Sequence, residues 1–507
     1  MDIVKIYNIE GDENYLYVSC DDFNVHEMLF NKFCFTVPGH RFMRTYKMGI
    51  WDGKIRLYDK GRRKIYKGLF VKLLTVLEAN NIEYEVDEQI QTDFEFNDVD
   101  TILAYLKLEI ENNYKFIPRK YQLKSILQCL TNLRQIIVSP TASGKSLIIY
   151  GIIDYFLKNN LLEGKKEKIL VLVPTVALVD QMKNDFISYQ KNDDAISDLI
   201  HTIYSGKEKD DNSKTIFIST WQSIYKLPKE YFKKFKLLLV DEIHLAEGKS
   251  IKEIVEKCIN AKYRYGFTGT LKNSKTSEMA LTAYFGEVYK AIEYQELMEK
   301  NYISGIDITN IVLNYKNIPE VYEPAYLNEK DYMNEKNIIV NCEKRNKFIV
   351  DMASNLKNNT LILFERISQG KQILDLLSKQ KNKKILYISG SVSADKRNEY
   401  RELMENSNDY ILVASFGTTS TGINIKNIHN IIFASPYKSP IRVLQSIGRG
   451  LRKHKDKVNL KLYDIADDLR PGKRKKERKN FFYKHWEERK ALYYSNNFKM
   501  KTVKIIF

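Results

Sequence analysis

Between about Lys115 and Asp467 the sequence alternates short, uninterrupted apolar runs with longer amphipathic stretches. "RQIIVS" is followed by "GKSLIIYGIIDYFLKN", and "KILVLVP" by "VALVDQMKNDFISY"; then come "TIFIST", "LLLVDE" and "YRYGFTGT". A run of apolar, β-branched residues with no polar alternation offers no face to water, so it reads as a strand covered on both sides. Such strands belong to parallel sheets, where crossover helices pack on each face. The pattern pauses between about Glu296 and Cys342, then restarts with "TLILFE", "KILYISG", "YILVASF" and "NIIFAS". Two tandem α/β domains with parallel sheets are predicted.

A chain of 507 residues is too long for one core, which agrees with this division. The reading places a small α+β domain at 1–95 and the first α/β domain at 96–295. A linker follows at 296–342, the second α/β domain at 343–468 and a short, basic, helical C-terminal extension at 469–507. No stretch approaches the length of a membrane span, and the N-terminus lacks a basic start followed by an apolar run. Five scattered cysteines with no C-x-x-C pair point to neither a disulfide framework nor a zinc site. Together these predict a soluble protein of the cytoplasm with no membrane partner.

The net charge of +17 is concentrated in two places. Gly39 to Gly68 holds ten Lys/Arg against two acids, and Arg470 to Lys490 ten against three. Basic patches flanking a balanced centre imply a polyanionic partner. In the first patch Phe42, Tyr46, Trp51, Tyr58 and Tyr66 are interleaved with the cations. Lys54, Arg56, Arg62, Arg63 and Lys64 are expected on phosphates, while aromatic rings can stack on unpaired bases. Trp51, Ile55 and Leu57 are expected to be structural, in a hairpin that turns at Asp52-Gly53.

The chemistry begins at "SPTASGKS", Ser139 to Ser146. A strand runs into a loop ending in Gly-Lys-Ser and then into a helix, which is the context a phosphate-binding loop requires. Thr141, Ser143 and Gly144 line the backbone cradle, Lys145 reaches the β- and γ-phosphates, and Ser146 offers a hydroxyl to Mg²⁺. Ser139 stands where the usual pattern has its first glycine; it reads as the last residue of the strand. "LLLVDEIH" supplies the partner acids at a strand end, with Asp241 for Mg²⁺ and Glu242 for the attacking water.

With its His244, "DEIH" resembles the D-E-x-H group of superfamily 2 helicases, and the other motifs of that group follow in order. "RKYQ" resembles the adenine-reading motif, with Arg119 and Gln122. "VPTVALVDQ" and "ISTWQS" resemble the segments whose Thr175 and Thr220 face the nucleic-acid backbone. "FTGTL" stands where Ser-Ala-Thr is more frequent, with Thr268 and Thr270 in the coupling positions. "ASFGTTSTGINIKN" matches at Thr421 and Gly422, with Asn424 in place of a frequent Asp. "QSIGRGLRK" matches at Gln445, Gly448, Arg449 and Arg452. The two arginines, three apart, are expected on one helical face as arginine fingers for the γ-phosphate.

The resemblance covers about two thirds of the chain and implies two tandem RecA-like motor domains. Beyond it, "GIWDGKIRLYD", "SPTASGKS" and "IGRGLRKH" resemble stretches of the UvsW-like recombination helicases of tailed phages. That family implies an ATP- and Mg²⁺-dependent motor on branched, duplex and single-stranded DNA. The implied activities are branch migration, fork regression, R-loop and D-loop unwinding and strand annealing. RNA would enter as a strand of R-loops, and a monomer without a named protein partner is expected. Three other readings remain at this stage: the motor of a restriction or remodelling complex, an RNA helicase, and an ATP-gated binder that barely turns over. A partner nuclease, RNA-only stimulation, or absent turnover would respectively favour them.

Overall fold

The computed structural model describes the chain apart from residues 1–2, 38, 91–98, 160, 164–165, 192–193, 246–248, 272–274, 316–328, 381–382, 391, 419–424, 456 and 471–478. It divides into two compact units, residues 1–139 with 144–292, and residues 293–507, to which 140–143 are assigned.

The N-terminal part of the first unit carries seven short strands. These are β1 (Val4–Asn8), β2 (Tyr15–Ser19), β3 (Cys34–Thr36), β4 (Lys54–Arg56), β5 (Tyr58–Asp59), β6 (Lys64–Tyr66) and β7 (Tyr84–Val86). Five form a mixed sheet in the order β5-β6-β2-β1-β7, and β3 with β4 forms a separate antiparallel ribbon. Strict alternation along β1 and β2 sends Val4, Ile6, Leu16 and Val18 inward. The helix Phe70–Ala79 answers with Phe70, Leu73 and Leu77, spaced three and four apart so that they share one face. Sequence reasoning expected a tight hairpin at Asp52-Gly53. Instead β4 pairs with β3 across the loop 37–53, Asp52 accepts from the Arg56 guanidinium, and of Trp51, Ile55 and Leu57 only Leu57 lies in the core, with Ile55 exposed and Trp51 half-buried.

This small domain is fastened to the parallel sheet beside it. Glu13 N–H donates to Ile259 O at 2.7 Å and Tyr66 O–H to Glu256 Oε1 at 3.0 Å. The buried Arg134 donates to the carbonyls of Glu13 and Tyr284. Gly68 lies so close to the helix Lys275–Phe285 that a Cβ there would overlap the carbonyls of Thr282 and Ala283. Ala283 itself packs into the small domain's core.

The first parallel sheet comprises β8 (Arg134–Val138), β9 (Lys168–Val173), β10 (Ile200–Ile203), β11 (Ile216–Thr220), β12 (Phe235–Asp241), β13 (Tyr263–Thr268) and β14 (Val288–Lys290). Its order is β10-β11-β9-β12-β13-β8-β14, and every pairing is parallel. Every residue of β9, β11 and β13 is buried; apolar runs account for β9 and most of β11, and in β13 the buried Arg264 donates to the carbonyls of Val255, Cys258 and Ala261. Because all strands run the same way, their C-terminal ends share one edge, where such sheets bind ligands.

The second unit repeats the plan with β15 (Gly305–Asn314), β16 (Thr360–Phe364), β17 (Lys384–Ile388), β18 (Tyr410–Ser415), β19 (Asn430–Phe433), β20 (Asn459–Asp468) and β21 (Lys499–Ile506), in the order β17-β18-β16-β19-β20-β15-β21. The stretch 296–342, expected as a linker, therefore contributes β15, an inner strand. Its polar breaks hid it, since only alternate residues are buried over its first half. After 468 the expected helix is present as Phe481–Ser495, and β21 then joins the sheet beside β15. Most of the basic run 470–479 lies outside the described residues.

Candidate functional site

The C-terminal edge of the first sheet gathers most of the residues singled out in the sequence. After β8 the chain turns through Ala142 and Gly144, both with positive φ (68° and 81°), into the helix Lys145–Lys158. Thr141 and Ser143 lie in this loop. Gly144 can adopt that conformation without strain, and it leaves the helix N-terminus open to an anion.

Lys145 Nζ lies 3.3 Å from Ser139 O and 3.8 Å from Glu242 Oε1. Ser139, the last residue before the loop, is buried and accepts from Lys145 through its backbone. Asp241 ends β12, and Glu242 follows with φ 55°, a left-handed conformation that a non-glycine residue adopts at a cost of about 1–3 kcal/mol. Such strain persists where the surroundings hold it: Glu242 N–H donates to Asp241 Oδ1 at 3.0 Å.

His244 Nδ1 lies 3.1 Å from Glu242 Oε2 and 3.0 Å from Thr268 Oγ1. The Thr268 hydroxyl spends its proton on Thr270 O at 2.8 Å, so His244 must be the donor, with Nδ1 protonated. A connected line thus runs from Lys145 through Glu242 and His244 to Thr268 and Thr270, across the ends of β12 and β13.

Two adjacent buried carboxyls cannot both ionise freely. Burial and the neighbouring Glu242 push Asp241 above the usual carboxylate range. Burial acts on Glu242 in the same sense, but Lys145 and the His244 hydrogen bond outweigh it and hold Glu242 low. Glu242 therefore keeps the charge of the pair, as an acceptor for a water proton requires.

Gln122 is buried at the start of the helix Lys120–Leu130, where it forms a capping box with Arg119: Gln122 Oε1 accepts from Arg119 N–H at 2.7 Å. Its amide also donates to Gly144 O at 3.3 Å, tying this turn to the phosphate loop. Ser146 Oγ lies 2.6 Å from Tyr189 Oη, a partner that the sequence gave no reason to expect.

Further along the edge, Thr175 and Thr220 line one pocket of about 580 Å³ with Ser205, Gly206, Lys209, Gln222 and Ser223. Thr220 Oγ1 lies 2.8 Å from Ser223 Oγ. Sequence reasoning missed the segment from Ser205 to Lys209. Its signal was position, since β9, β10 and β11 are adjacent and parallel, so the loops after all three must meet. Hydroxyls, a lysine and a glycine with φ 85° make a surface suited to a phosphate backbone.

In the second unit, Gln445, Gly448 and Arg449 lie on the helix Pro440–Gly450. Val443, Leu444 and Ile447 bury its other side, leaving Gln445 and Arg449 partly exposed four residues apart. The expectation that Arg449 and Arg452 share a helical face needs correction, because the helix ends at Gly450 with Leu451 as its cap. Ser304 N–H donates to the Leu451 carbonyl at 2.8 Å and Lys457 Nζ to that of Gly450 at 2.9 Å, so the carbonyls at the helix end are satisfied from outside the helical ladder. Arg452 lies beyond it. Thr421, Gly422 and Asn424 lie outside the described residues.

In the N-terminal domain, Arg56, Arg62 and Lys64 line a pocket of about 520 Å³ with Tyr15, Phe30, Lys60 and Tyr66. Lys64 Nζ sits 3.7 Å above the Tyr15 ring, and Arg56 lies over Phe30. Lys54 is exposed on β4, and Arg63 stands at φ 49° between β5 and β6, outside this pocket.

Comparison with known proteins agrees with this layout. Residues 8–88 match the family model "DNA helicase UvsW, N-terminal", residues 115–273 "Type III restriction enzyme, res subunit" and residues 343–454 "Helicase conserved C-terminal domain". The "ATP-dependent DNA helicase uvsW" of Enterobacteria phage T4 is 36% identical over 509 residues, covering 97% of this chain and 98% of that one. The chain belongs to the UvsW family of ATP-dependent DNA helicases. The crystal structure of T4 UvsW aligns over 99% of each chain at 32% identity, with a TM-score of 0.51. The DNA-bound Type ISP restriction-modification enzyme LlaBIII aligns over 77% of this chain and 32% of its own at 17% identity and a TM-score of 0.57, a likeness of fold alone. Membership of the UvsW family makes the chain an ATP hydrolase that works on DNA, built on two RecA-like sheets behind a small mixed-sheet domain. No described helix is long and apolar enough to cross a membrane.

Proposed function

We propose that the chain is a monomeric cytoplasmic motor that uses Mg²⁺-ATP to remodel branched DNA by branch migration, fork regression, displacement of R-loop and D-loop strands, and annealing. RNA enters this reading only as a strand of an R-loop. The observation that carries it is the shared edge of the first sheet. The phosphate loop follows β8, the acids end β12, and the backbone-type pocket spans the ends of β10, β11 and β9. β12 lies directly between β13 and β9, so the acidic turn adjoins the line to Thr268 on one side and the strand leading to Thr175 on the other.

In this reading Lys145 and the amides of the loop hold the phosphates, and Gln122 with Arg119 reads the base from the adjoining turn. Glu242, kept ionised by Lys145 and His244, orients the attacking water and takes its proton. The Ser146 hydroxyl and Asp241 are the residues that would hold Mg²⁺; hydroxyl and carboxylate are hard oxygen donors of the kind this ion takes. When bound, the ion supplies charge neutralisation on the phosphate oxygens. Arg449 and Arg452 are the proposed transition-state arginines, and Gln445 shares the helix of the first. Thr175 and Thr220 contact DNA backbone, as do Thr421 and Gly422 in the resemblance. Lys54, Arg56, Arg62, Arg63 and Lys64 add phosphate contacts from the N-terminal domain.

The test compares ATPase stimulation and strand separation on single-stranded DNA, linear duplex, a four-way junction, an R-loop and RNA at one stated salt concentration. Branched DNA is expected to be remodelled fastest, with weak stimulation by RNA alone. Equal action on linear duplex and junction would refute the branched-DNA reading.

A further inference from the structure

Ser146 stands in the first turn of the helix Lys145–Lys158. Its hydroxyl is one of the two groups proposed to hold Mg²⁺, but a serine side chain turns about a single bond and has no aim of its own. Among the described residues the side chain bonded to it is Tyr189, with Oγ and Oη 2.6 Å apart, while Asp241 Oδ1 accepts instead from Glu242 N–H.

Tyr189 is itself firmly held. It closes the helix Val176–Tyr189, whose Val179, Met182 and Phe186 are buried at spacings of three and four. Its carbonyl accepts from Lys115 N–H at 2.8 Å, and Lys191 N–H donates to Asn113 O at 2.9 Å. The chain around Tyr189 therefore pairs with the segment that leads into the turn of Arg119 and Gln122. Its ring meets Tyr150 at 5.6 Å and Phe116 edge-on at 6.2 Å. Tyr150 is fully buried one turn beyond Ser146 on the same helix. A phenylalanine would make the same ring contacts; only the tyrosine hydroxyl reaches the serine.

Charge decides the direction of that bond. A hydroxyl has one proton and two lone pairs. A cation beside Ser146 Oγ repels the proton and attracts the lone pairs. With the proton given to Tyr189 Oη, both lone pairs stay free for the ion. In the reverse arrangement Tyr189 would occupy one of them. Groups that orient a metal ligand commonly change affinity for the ion by about 10–100-fold.

We propose that Tyr189 is a positioning residue for Mg²⁺: its hydroxyl accepts the Ser146 proton and fixes the serine oxygen with its lone pairs free for the ion. This rests on the reading of Ser146 as a metal-holding residue and adds the group that orients it.

The experiment uses the full chain as wild type, Tyr189→Phe, Ser146→Ala and the double variant, with thermal melting as the check of folding. Binding of mant-ADP is followed by fluorescence in EDTA and through a titration with MgCl₂. ATPase on single-stranded DNA is measured over the same range of Mg²⁺. In Tyr189→Phe the Mg²⁺ midpoint should rise by about tenfold in both measurements, while mant-ADP affinity in EDTA matches wild type. Turnover lost at limiting Mg²⁺ should be regained as the ion is added. Ser146→Ala should raise the midpoint at least as far, and the double variant no further, because the tyrosine acts through the serine.

A wild-type midpoint in Tyr189→Phe overturns the proposal. A lowered midpoint does so too, since the contact would then be a resting bond that the ion has to break. Weaker mant-ADP binding in EDTA would make Tyr189 part of the nucleotide pocket itself and equally overturns it, as does a further rise in the double variant. If Ser146→Ala leaves the midpoint unchanged, the underlying reading of Ser146 fails instead.

Discussion

In the second sheet Arg345 reaches Asp467 at 2.7 and 2.9 Å, and Arg489 reaches Asp464 at 2.7 and 2.9 Å, with all four side chains buried. In the first sheet the buried Asp241 and the largely buried Glu242 stand side by side, and Lys145 comes only to 3.8 Å from Glu242. The folds match strand for strand, but the charges are used differently. Burial would lower the two arginines of the second unit, and their aspartates more than offset it, leaving both raised. Every partner there is satisfied by bidentate geometry. At the end of β12 one carboxyl is driven up and the other down, and the backbone is strained at the residue that keeps the charge. Buried charge that is fully paired fixes a structure; buried charge left in conflict marks where chemistry is expected.

That contrast can be broken most severely at the reacting centre. Arg449→Ala and Glu242→Gln should each lower DNA-stimulated ATPase, by about 10³-fold or more for the first and on the order of 10²–10⁴ for the second. ATP binding and melting temperature should change little, and near-normal turnover in either variant would refute the assignment. Next in size is Asp464→Asn, which strands Arg489 in the core. It should cost about 3–5 kcal/mol in denaturant unfolding of the second unit while the first keeps its nucleotide affinity. If affinity falls in step with stability, the paired charges are not merely structural.

Gly68→Val is smaller and sharpens the comparison by touching neither set of charges. The added side chain overlaps backbone carbonyls that cannot give way, so about 1–3 kcal/mol should be lost in thermal unfolding. An unchanged melting temperature would mean that the small domain is not docked as described.

The smallest effect is a pH dependence at His485. Burial, then the nearby Lys438, Arg489 and Lys336, push this imidazole down to about 4. The unfolded chain takes up the proton near 6.5 and the folded chain does not, so stability is lost as pH falls from about 6.5 toward 4. His485→Gln should be less sensitive over this window, by on the order of 1–2 kcal/mol after allowance for partial hydration. Identical pH profiles for the two proteins would show that His485 is not the group responsible.

Much of this was legible in the sequence because parallel sheets write it plainly. Buried strands give continuous apolar runs, and the residues just beyond their C-terminal ends lie on one edge. That is why "GKS" and "VDEIH" read as neighbours before any coordinates, whereas "FTGT" is placed by resemblance. What escaped depends on strand order, which no local pattern carries. Ser205 and Lys209 join Thr175 and Thr220 only because β10 lies beside β11. β15 hides in a stretch with polar breaks, and the helix carrying Arg449 ends at Gly450, where Ser304, far away in sequence, takes the Leu451 carbonyl and the nearby Lys457 that of Gly450. Tyr189 on Ser146 is a contact of the same long-range kind.

The position of β15 has a consequence for how the molecule is made. It pairs with β20 on one side and β21 on the other, and Asn310 reaches Lys501 across 191 residues of chain. The first sheet has all its strands by residue 290, whereas the second must wait for its last. At about 5–20 residues per second, β15 spends roughly 10–40 s after synthesis before β21 exists to cover its open edge. For that interval the nascent molecule holds a complete first sheet attached to an unfinished one, with one edge of β15 still unpaired.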